Sequence, residues 1–381
     1  MSLFLGWLIL LLIGTDLFVV SPLLPQIAHG FALSPGNAGL MVTVFAMAYV
    51  VGGPRLGALA DRGKRRYVLA GSLILFAGSN ALTGASSSFV WLLVARGLAG
   101  LGASGVTPTV YAMVVASAPE GKQATWLSVV TSGLLLALSS GAPAGSLAAQ
   151  AVGWRAVFFV IAGMAALLLI ASFVTTRNLR QEDPVGVTPG LTSRVVTIDK
   201  VRAVSTTTLW ALAVYGVYTY LGVELRQHAH FGPGLVAVGL AIYGAGALAG
   251  NLAGGPFADR QGAQTVVMTS LVALAIVLFV LGSFSSLHFV LLASLGLFSF
   301  SAYPYFSAHQ KRLVARFGSQ SGALLAWNNT AMYLGILVGS AVGGRILASA
   351  GFSTLTAAAA AVALVAAFST RRAIAAPSRQ L

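Results

Sequence analysis

From Leu3 to Val20 nearly every position is apolar, and runs of this kind recur to the far end of the chain, separated by short polar breaks. A helix lying on a soluble core would be apolar on one stripe only. These segments are apolar on all sides, which is the pattern of a helix surrounded by lipid or by other such helices. About 20 apolar residues span the roughly 30 Å hydrocarbon layer. The pattern predicts spans at 3–24, 37–60, 66–85, 89–116, 123–149, 155–176, 205–226, 233–257, 264–284, 287–309, 319–345 and 350–370. The expected fold is an all-α integral membrane protein of twelve transmembrane helices, arranged as two six-helix bundles. Residues 1–177 form the first half. Residues 178–204, polar and holding Pro184 and Pro189, read as a cytoplasmic linker. Residues 205–381 form the second half with a short cytoplasmic tail. The first run is a span rather than a secretory signal, because it carries Asp16 and ends in Pro22 and Pro25 without a small-residue cleavage site.

Charge placement fixes the orientation. Charged residues make up 8% of the chain against about 25% in soluble domains, and 57% is hydrophobic. The net charge of +14 is gathered in short clusters between apolar runs, without a basic stripe interleaved with aromatics, so nucleic acid is not a partner. With the N-terminus inside, 18 Lys and Arg fall on the cytoplasmic side, Arg155, Arg226 and Arg345 fall outside, and Arg96 lies within a span. That asymmetry puts both termini in the cytoplasm, in a bacterial inner membrane. The absence of cysteine excludes disulfides, thiolate metal sites and cysteine nucleophiles.

The chain repeats itself. Gly57-Ala58-Leu59-Ala60-Asp61-Arg62 ends the second span and Gly255-Pro256-Phe257-Ala258-Asp259-Arg260 ends the eighth, 198 residues later. Parallel repeats about an axis along the membrane normal are a transporter architecture.

At this loop the chain resembles the major facilitator superfamily, in its twelve-helix drug:proton antiporter branch, and the resemblance extends over nearly the whole chain. The family's loop signature is a Gly-rich helix end followed by Asp-Arg-x-Gly and a basic pair. Asp61-Arg62-Gly63-Lys64-Arg65-Arg66 matches it less one residue between Arg and Gly, while Asp259-Arg260-Gln261-Gly262 keeps the spacing and loses the basic pair. An Asp at a helix C-terminus is unfavourable unless cations offset it. The resemblance implies a conformational latch of Gly57, Asp61, Arg62, Lys64, Arg65, Asp259 and Arg260; a plain topology loop is the other reading.

The fourth span holds Arg96 followed by Gly97-Leu98-Ala99-Gly100-Leu101-Gly102, similar to the branch's intramembrane Arg and Gly-rich run. A cation at this depth is costly without a partner. Arg96 lies roughly 10 Å, and Asp16 roughly 12 Å, below the outer ends of their spans at 1.5 Å per residue. The two are therefore expected to meet, either as a proton-coupling pair or as a static ion pair. Glu224, ending the seventh span beside His228 and His230, is a second proton-coupling candidate or a solvated interface residue.

Gly133, Ala137, Gly141, Gly145 and Ala149 form a ladder in the fifth span, and Gly335, Gly339 and Gly343 form one in the eleventh. Small residues let helices approach closely. Ser140-Gly141-Ala142-Pro143-Ala144-Gly145 resembles the superfamily's antiporter motif, which implies that Gly141, Pro143 and Gly145 mark a gating helix, with Gly141 and Gly145 facing the partner half. Tyr215, Tyr218, Tyr243, Tyr303, Trp327, Asn328, Asn329 and Tyr333 supply polar-tipped aromatics and amides for a substrate cavity; near helix ends such aromatics also form interface belts.

These readings converge on a secondary transporter exporting small amphipathic solutes or drugs in exchange for protons. Proton-coupled uptake or facilitated diffusion of a metabolite such as a sugar or nucleoside remains open beside it. No metal or cofactor is expected, the proton being the coupling ion. The partners are the solute and the bilayer, and the protein is expected to be a monomer. An integral membrane enzyme would need a catalytic constellation, which the few scattered intramembrane acids do not provide.

Overall fold

The computed structural model describes residues 2–60, 65–119, 122–176, 198–284, 287–317 and 321–372, and every regular element among them is helical. They are α1 (Leu3–Gly30), α2 (Pro35–Ala38), α3 (Leu40–Leu59), α4 (Arg65–Ala85), α5 (Phe89–Ser117), α6 (Gln123–Leu136), α7 (Ala142–Val152), α8 (Trp154–Thr176), α9 (Ile198–Val223), α10 (Pro233–Gln261), α11 (Ala263–Ser283), α12 (His288–Ala302), α13 (Pro304–Phe317) and α14 (Ser321–Arg372). Single π-turns, Ala137–Gly141 and Glu224–His228, join α6 to α7 and follow α9.

Among the described residues, ten helical stretches are long and apolar enough to cross a membrane, where twelve were expected. Two features account for the difference. α9 carries Thr206, Thr207, Thr208, Tyr215, Tyr218 and Tyr220, which lower its hydropathy, and it is absent from the ten. The stretch Trp327–Thr370 is continuous over 44 residues, about 66 Å at the helical rise, which is twice a hydrocarbon layer. Gly351 interrupts it with φ 78 and ψ 178, a left-handed backbone that a glycine adopts without strain. α1 also outruns its expected end at residue 24, continuing through Pro22 and Pro25 to Gly30. α9 starts at Ile198, inside the segment read as linker; residues 178–197 lie outside the described ones.

The chain divides into two compact units, Met1–Pro189 with Leu221–Ala241, and Gly190–Tyr220 with Ile242–Leu381. In the first, α5 packs on both α3 and α4, and glycines set the distance. A Cβ at Gly100 would collide with the carbonyl oxygen of Phe45, and one at Gly102 would lie 2.9 Å from Phe76 N. Backbone cannot step aside as a side chain can. We therefore expect Gly100→Ala to lower stability by about 1–3 kcal/mol, the usual overpacking cost. Gly57→Ala, with open space around it, should be neutral or slightly stabilising, since Gly is the poorer helix former. Thermal unfolding in detergent separates the two. The last turn of α9 also belongs to this unit: Gly222 N donates to Ser21 Oγ at 3.3 Å.

The second unit repeats these devices. Gly250 of α10, the counterpart of Gly52 by the 198-residue offset, lies with its Cα against Phe300 O, where a Cβ would stand 2.6 Å away; one at Gly52 would meet Leu101 and Ser104 of α5. The ladder on α14 packs on α9, with Gly339 against Leu212 and Gly216, and Gly335 against Thr208 and Ala211.

Candidate functional site

Asp16 and Arg96 meet. Two thirds of α1 is buried in its most apolar window, so a carboxylate in mid-helix there must find its partner inside the protein. Arg96 Nη1 donates to Asp16 Oδ1 at 2.7 Å and Nη2 to Oδ2 at 3.1 Å, with side-chain exposures of 1% and 0%. This is the bidentate fork that arginine forms with a carboxylate, and that lysine cannot. The guanidinium carbon stands 4.8 Å from the Phe45 ring centroid and 5.6 Å from that of Phe158. Desolvating two ions costs several kcal/mol each. The fork and two cation–π contacts, each about 0.5–2 kcal/mol, offset that only while both charges are present. The arrangement is stable as a pair and unstable as either ion alone.

The small-residue ladder forms one wall of this site. A Cβ at Gly133 would lie 2.6 Å from Trp7 O, one at Gly141 would collide with Thr15 Oγ1, and one at Gly145 with Val19 Cγ2. The ladder thus packs on α1 of its own unit, flanking Asp16, where the sequence had pointed to the other half. The spacing of small residues tells that a helix face is close-packed; it does not tell against which helix. Pro143 sits just after the π-turn Ala137–Gly141, and the turn takes up the register that the missing proline N–H disturbs. Ser139 and Ser140 both donate to Leu136 O, at 3.2 and 2.8 Å.

Glu224 is buried, not solvated: its side chain is 4% exposed and Oε2 lies 2.9 Å from Nδ1 of His228, which is 57% exposed. His230 is an exposed loop residue. Asp259 pairs with Lys311 of α13 at the surface, and Arg312 donates to Gln264 at 2.7 Å; Arg260 is exposed. Gly57 and Gly255, equivalent by the repeat, both have open space around them. Arg65 begins α4, while Asp61, Arg62 and Lys64 lie outside the described residues.

Of the expected cavity residues, Tyr215, Tyr218, Tyr243 and Tyr303 cluster in the second unit. Tyr218 and Tyr243 rings are 5.1 Å apart, and Trp210 stands edge-on to Tyr215 and Tyr303 at 6.0 and 5.9 Å. Tyr333 is buried, and Trp327 and Asn329 are partly buried. Asn328 is drawn into a network: Thr207 donates to its Oδ1 at 2.6 Å and lies 3.0 Å from Tyr305 OH, which also donates to Thr206. Tyr305 is stacked between Trp210 and His309. The sequence reading passed over Thr207, Tyr305 and His309, although a histidine at the end of an apolar run was a usable signal.

The family model described as Major Facilitator Superfamily matches residues 6–241 and again 204–380. An uncharacterized MFS-type transporter YbcL of Bacillus subtilis (strain 168) is 28% identical over 346 residues, 91% of this chain and 88% of that protein. A chloramphenicol resistance protein of Streptomyces lividans is 30% identical over 261 residues, 67% of this chain and 66% of its own. The inner membrane transport protein YdhP of Escherichia coli (strain K12) is 27% identical over 343 residues, 88% and 86% of the two chains. Among solved structures, a bacterial homolog to the human lysosomal transporter Spinster, in an inward-facing and occupied conformation, superimposes with TM-score 0.77 and 17% identity over 98% of this chain and 96% of that one. Two matches to one family model, over a fold whose helix crossings occur twice, make the chain a member of the Major Facilitator Superfamily, a multi-pass membrane transporter and not an enzyme.

Proposed function

We propose that the protein exports small amphipathic solutes from the cytoplasm in exchange for protons, by alternating access. The observation that carries this is the Asp16–Arg96 fork, fully buried on the outer side of mid-span with no third charge against it among the described contacts. A proton reaching Asp16 from outside removes the carboxylate's charge. Arg96 is then a cation in an aromatic box without its counter-ion, and the helices carrying it are driven toward the other arrangement. Solute leaves as the proton enters, and the cycle resets when Asp16 gives its proton to the cytoplasm. The ladder beside Asp16 keeps that wall closed between turnovers.

In this reading the chain crosses the bacterial inner membrane twelve times: α9 is a span despite its polarity, and α14 contributes two spans divided at Gly351. Both termini are cytoplasmic, the halves are residues 1–177 and 205–381 around the 178–204 linker, and the protein works as a monomer without a cofactor. Asp61, Arg62, Lys64 and Arg65 in one loop, with Asp259 and Arg260 in the other, act as latches on the cytoplasmic side. Glu224 beside His228 is an outer proton site, and the Tyr215, Tyr218, Tyr243 and Tyr303 cluster with Trp327, Asn329 and Tyr333 contacts solute. The direction rests on the Gly141–Gly145 motif and on the resistance protein among the relatives. Expression in a drug-sensitive Escherichia coli strain should raise the inhibitory concentration of chloramphenicol or of another neutral amphipathic compound in a toxic panel, and an uncoupler should remove the gain. Accumulation of the compounds in place of resistance would overturn export.

A further inference from the structure

Three helices of the second unit put one polar residue each at a common level: Thr207 on α9, His309 on α13 and Asn328 on α14, exposed by 0%, 0% and 1%. One turn along each helix lie Ala203, Leu313 and Leu324. These three form a buried apolar cluster, with Val204 and Phe317 packed against it. In the topology proposed above, this apolar plug lies on the cytoplasmic side of the polar level.

The polar level is unevenly satisfied. Thr207, Asn328 and Tyr305 bond to one another, but neither Nδ1 nor Nε2 of His309 has a hydrogen-bond partner among the described residues. The polar groups beside the ring are the Ala203 carbonyl, which accepts from Thr206 Oγ1 at 2.9 Å, and the Asn328 side chain. The ring is held by stacking on Tyr305, with centroids 5.1 Å apart and planes 11° apart. A phenylalanine would stack as well and leave no buried polar atom unsatisfied, at about 1–3 kcal/mol each. Packing therefore does not explain a histidine here. An imidazolium would fit worse still, with no acceptor on either N–H and Arg312 three residues on acting against it. The other charged groups nearby are Lys311 and Arg316 on α13, Asp199, Lys200 and Arg202 at the start of α9, and Asp259 and Arg260 on α10; α11 carries none and α14 none before Arg345. Tyr305 and Tyr333 are the titratable groups outward of the ring. Asp259 is taken by Lys311, and no carboxylate pairs with His309 among the described residues.

A base that fits only while uncharged, one turn behind an apolar plug, is the arrangement a pH-sensitive switch requires. We propose that His309 is a second proton site, reached from the cytoplasm, and that a proton there holds the inner ends of α9, α13 and α14 apart. When alternating access parts the plug, cytoplasmic hydronium gives its proton to the unprotonated ring nitrogen. One N–H bond forms, water is left, and the ring carries the charge. The cation cannot return to its place beside Arg312, so the plug stays open until the proton leaves. Each turnover of the proposed exchange brings a proton in, and this site stalls it as the cytoplasm acidifies. The inference rests on the alternating-access reading above.

The test reads the plug without a gradient. Phe317→Cys, at the rim of the plug in a chain with no other cysteine, carries a nitroxide in nanodiscs, and its exposure to a water-soluble nickel complex is followed by electron paramagnetic resonance. A histidine protonated only in the open state, with the ordinary value near 6.5, raises the open-to-closed ratio about tenfold between about pH 7.5 and about pH 5.5. Exposure of the label should rise accordingly, and His309→Gln should abolish the rise. His309→Phe keeps the stack on Tyr305 and serves if His309→Gln does not fold. No rise with His309 present, or the same rise without it, would overturn the proposal. Asp16→Asn should leave the rise intact; its loss there would assign the response to Asp16 and overturn the proposal as well. Full gradient-driven transport by Asp16→Asn, beside a rise that needs His309, would overturn the exchange reading and leave the His309 site standing.

Discussion

Asp16→Asn should abolish gradient-driven transport while the protein still reaches the membrane. The amide keeps the shape and one acceptor for Arg96 but cannot titrate, so the event that frees the guanidinium never occurs. Losing one partner of a buried pair costs about 3–5 kcal/mol, because the remaining ion is left desolvated. The retained acceptor and the rings of Phe45 and Phe158 should hold the cost near the lower end. Arg96→Gln should cost a similar amount, and the double variant should lose less than the two combined, since neither charge is then orphaned. Arg96→Lys should not rescue transport, because a lysine cannot make both bonds of the fork. Uptake into proteoliposomes under an imposed pH gradient, with detergent melts of all four variants, reads both predictions. Full gradient-driven transport by Asp16→Asn would remove the residue from the mechanism.

Gly145→Leu should make the membrane leak protons in the absence of solute. Any side chain there runs into Val19, with Val157 at 3.7 Å on the other side. One turn away, Gly141 abuts Thr15, the neighbour of Asp16. A leucine must therefore part α7 from α1 on the wall of the ion pair, at an overpacking cost of about 1–3 kcal/mol. The same substitution at Gly163 of α8, where nothing lies within 4 Å, should leave the membrane tight. A pH-sensitive dye in sealed vesicles compares the two under a gradient. A tight Gly145→Leu variant with normal transport would reduce the ladder to ordinary packing and remove the main ground for preferring export to uptake.

Depth was legible in the sequence because position along a helix is linear in residue number. Asp16 and Arg96, both counted from the outer ends of their spans, fell at similar depths, and the structure brings them together. Azimuth was not legible. Nothing in the four-residue spacing of Gly133, Gly141 and Gly145 says that the facing helix is α1 of the same unit. The breaks between helices misled where prolines do not end a helix. Pro22 and Pro25 read as the close of the first span, yet α1 runs past both to Gly30, since a proline removes a single bond that packed neighbours can compensate. The polar residues of α9 drop it below the apolarity of a lone span, but Thr206, Thr207 and Trp210 spend their polar groups on Tyr305, Asn328 and Ala302. Hydropathy registers the polar atom and misses its partner.

In the proposed mechanism Asp16 carries the exchanged proton. Solute addition to purified protein in weakly buffered detergent solution, followed with a pH electrode, tests it without vesicles. The solute is the compound to which expression confers the largest resistance. Wild type should release protons on binding it, and Asp16→Asn should bind it and release none. Equal release from both proteins would contradict the claim and assign the proton elsewhere.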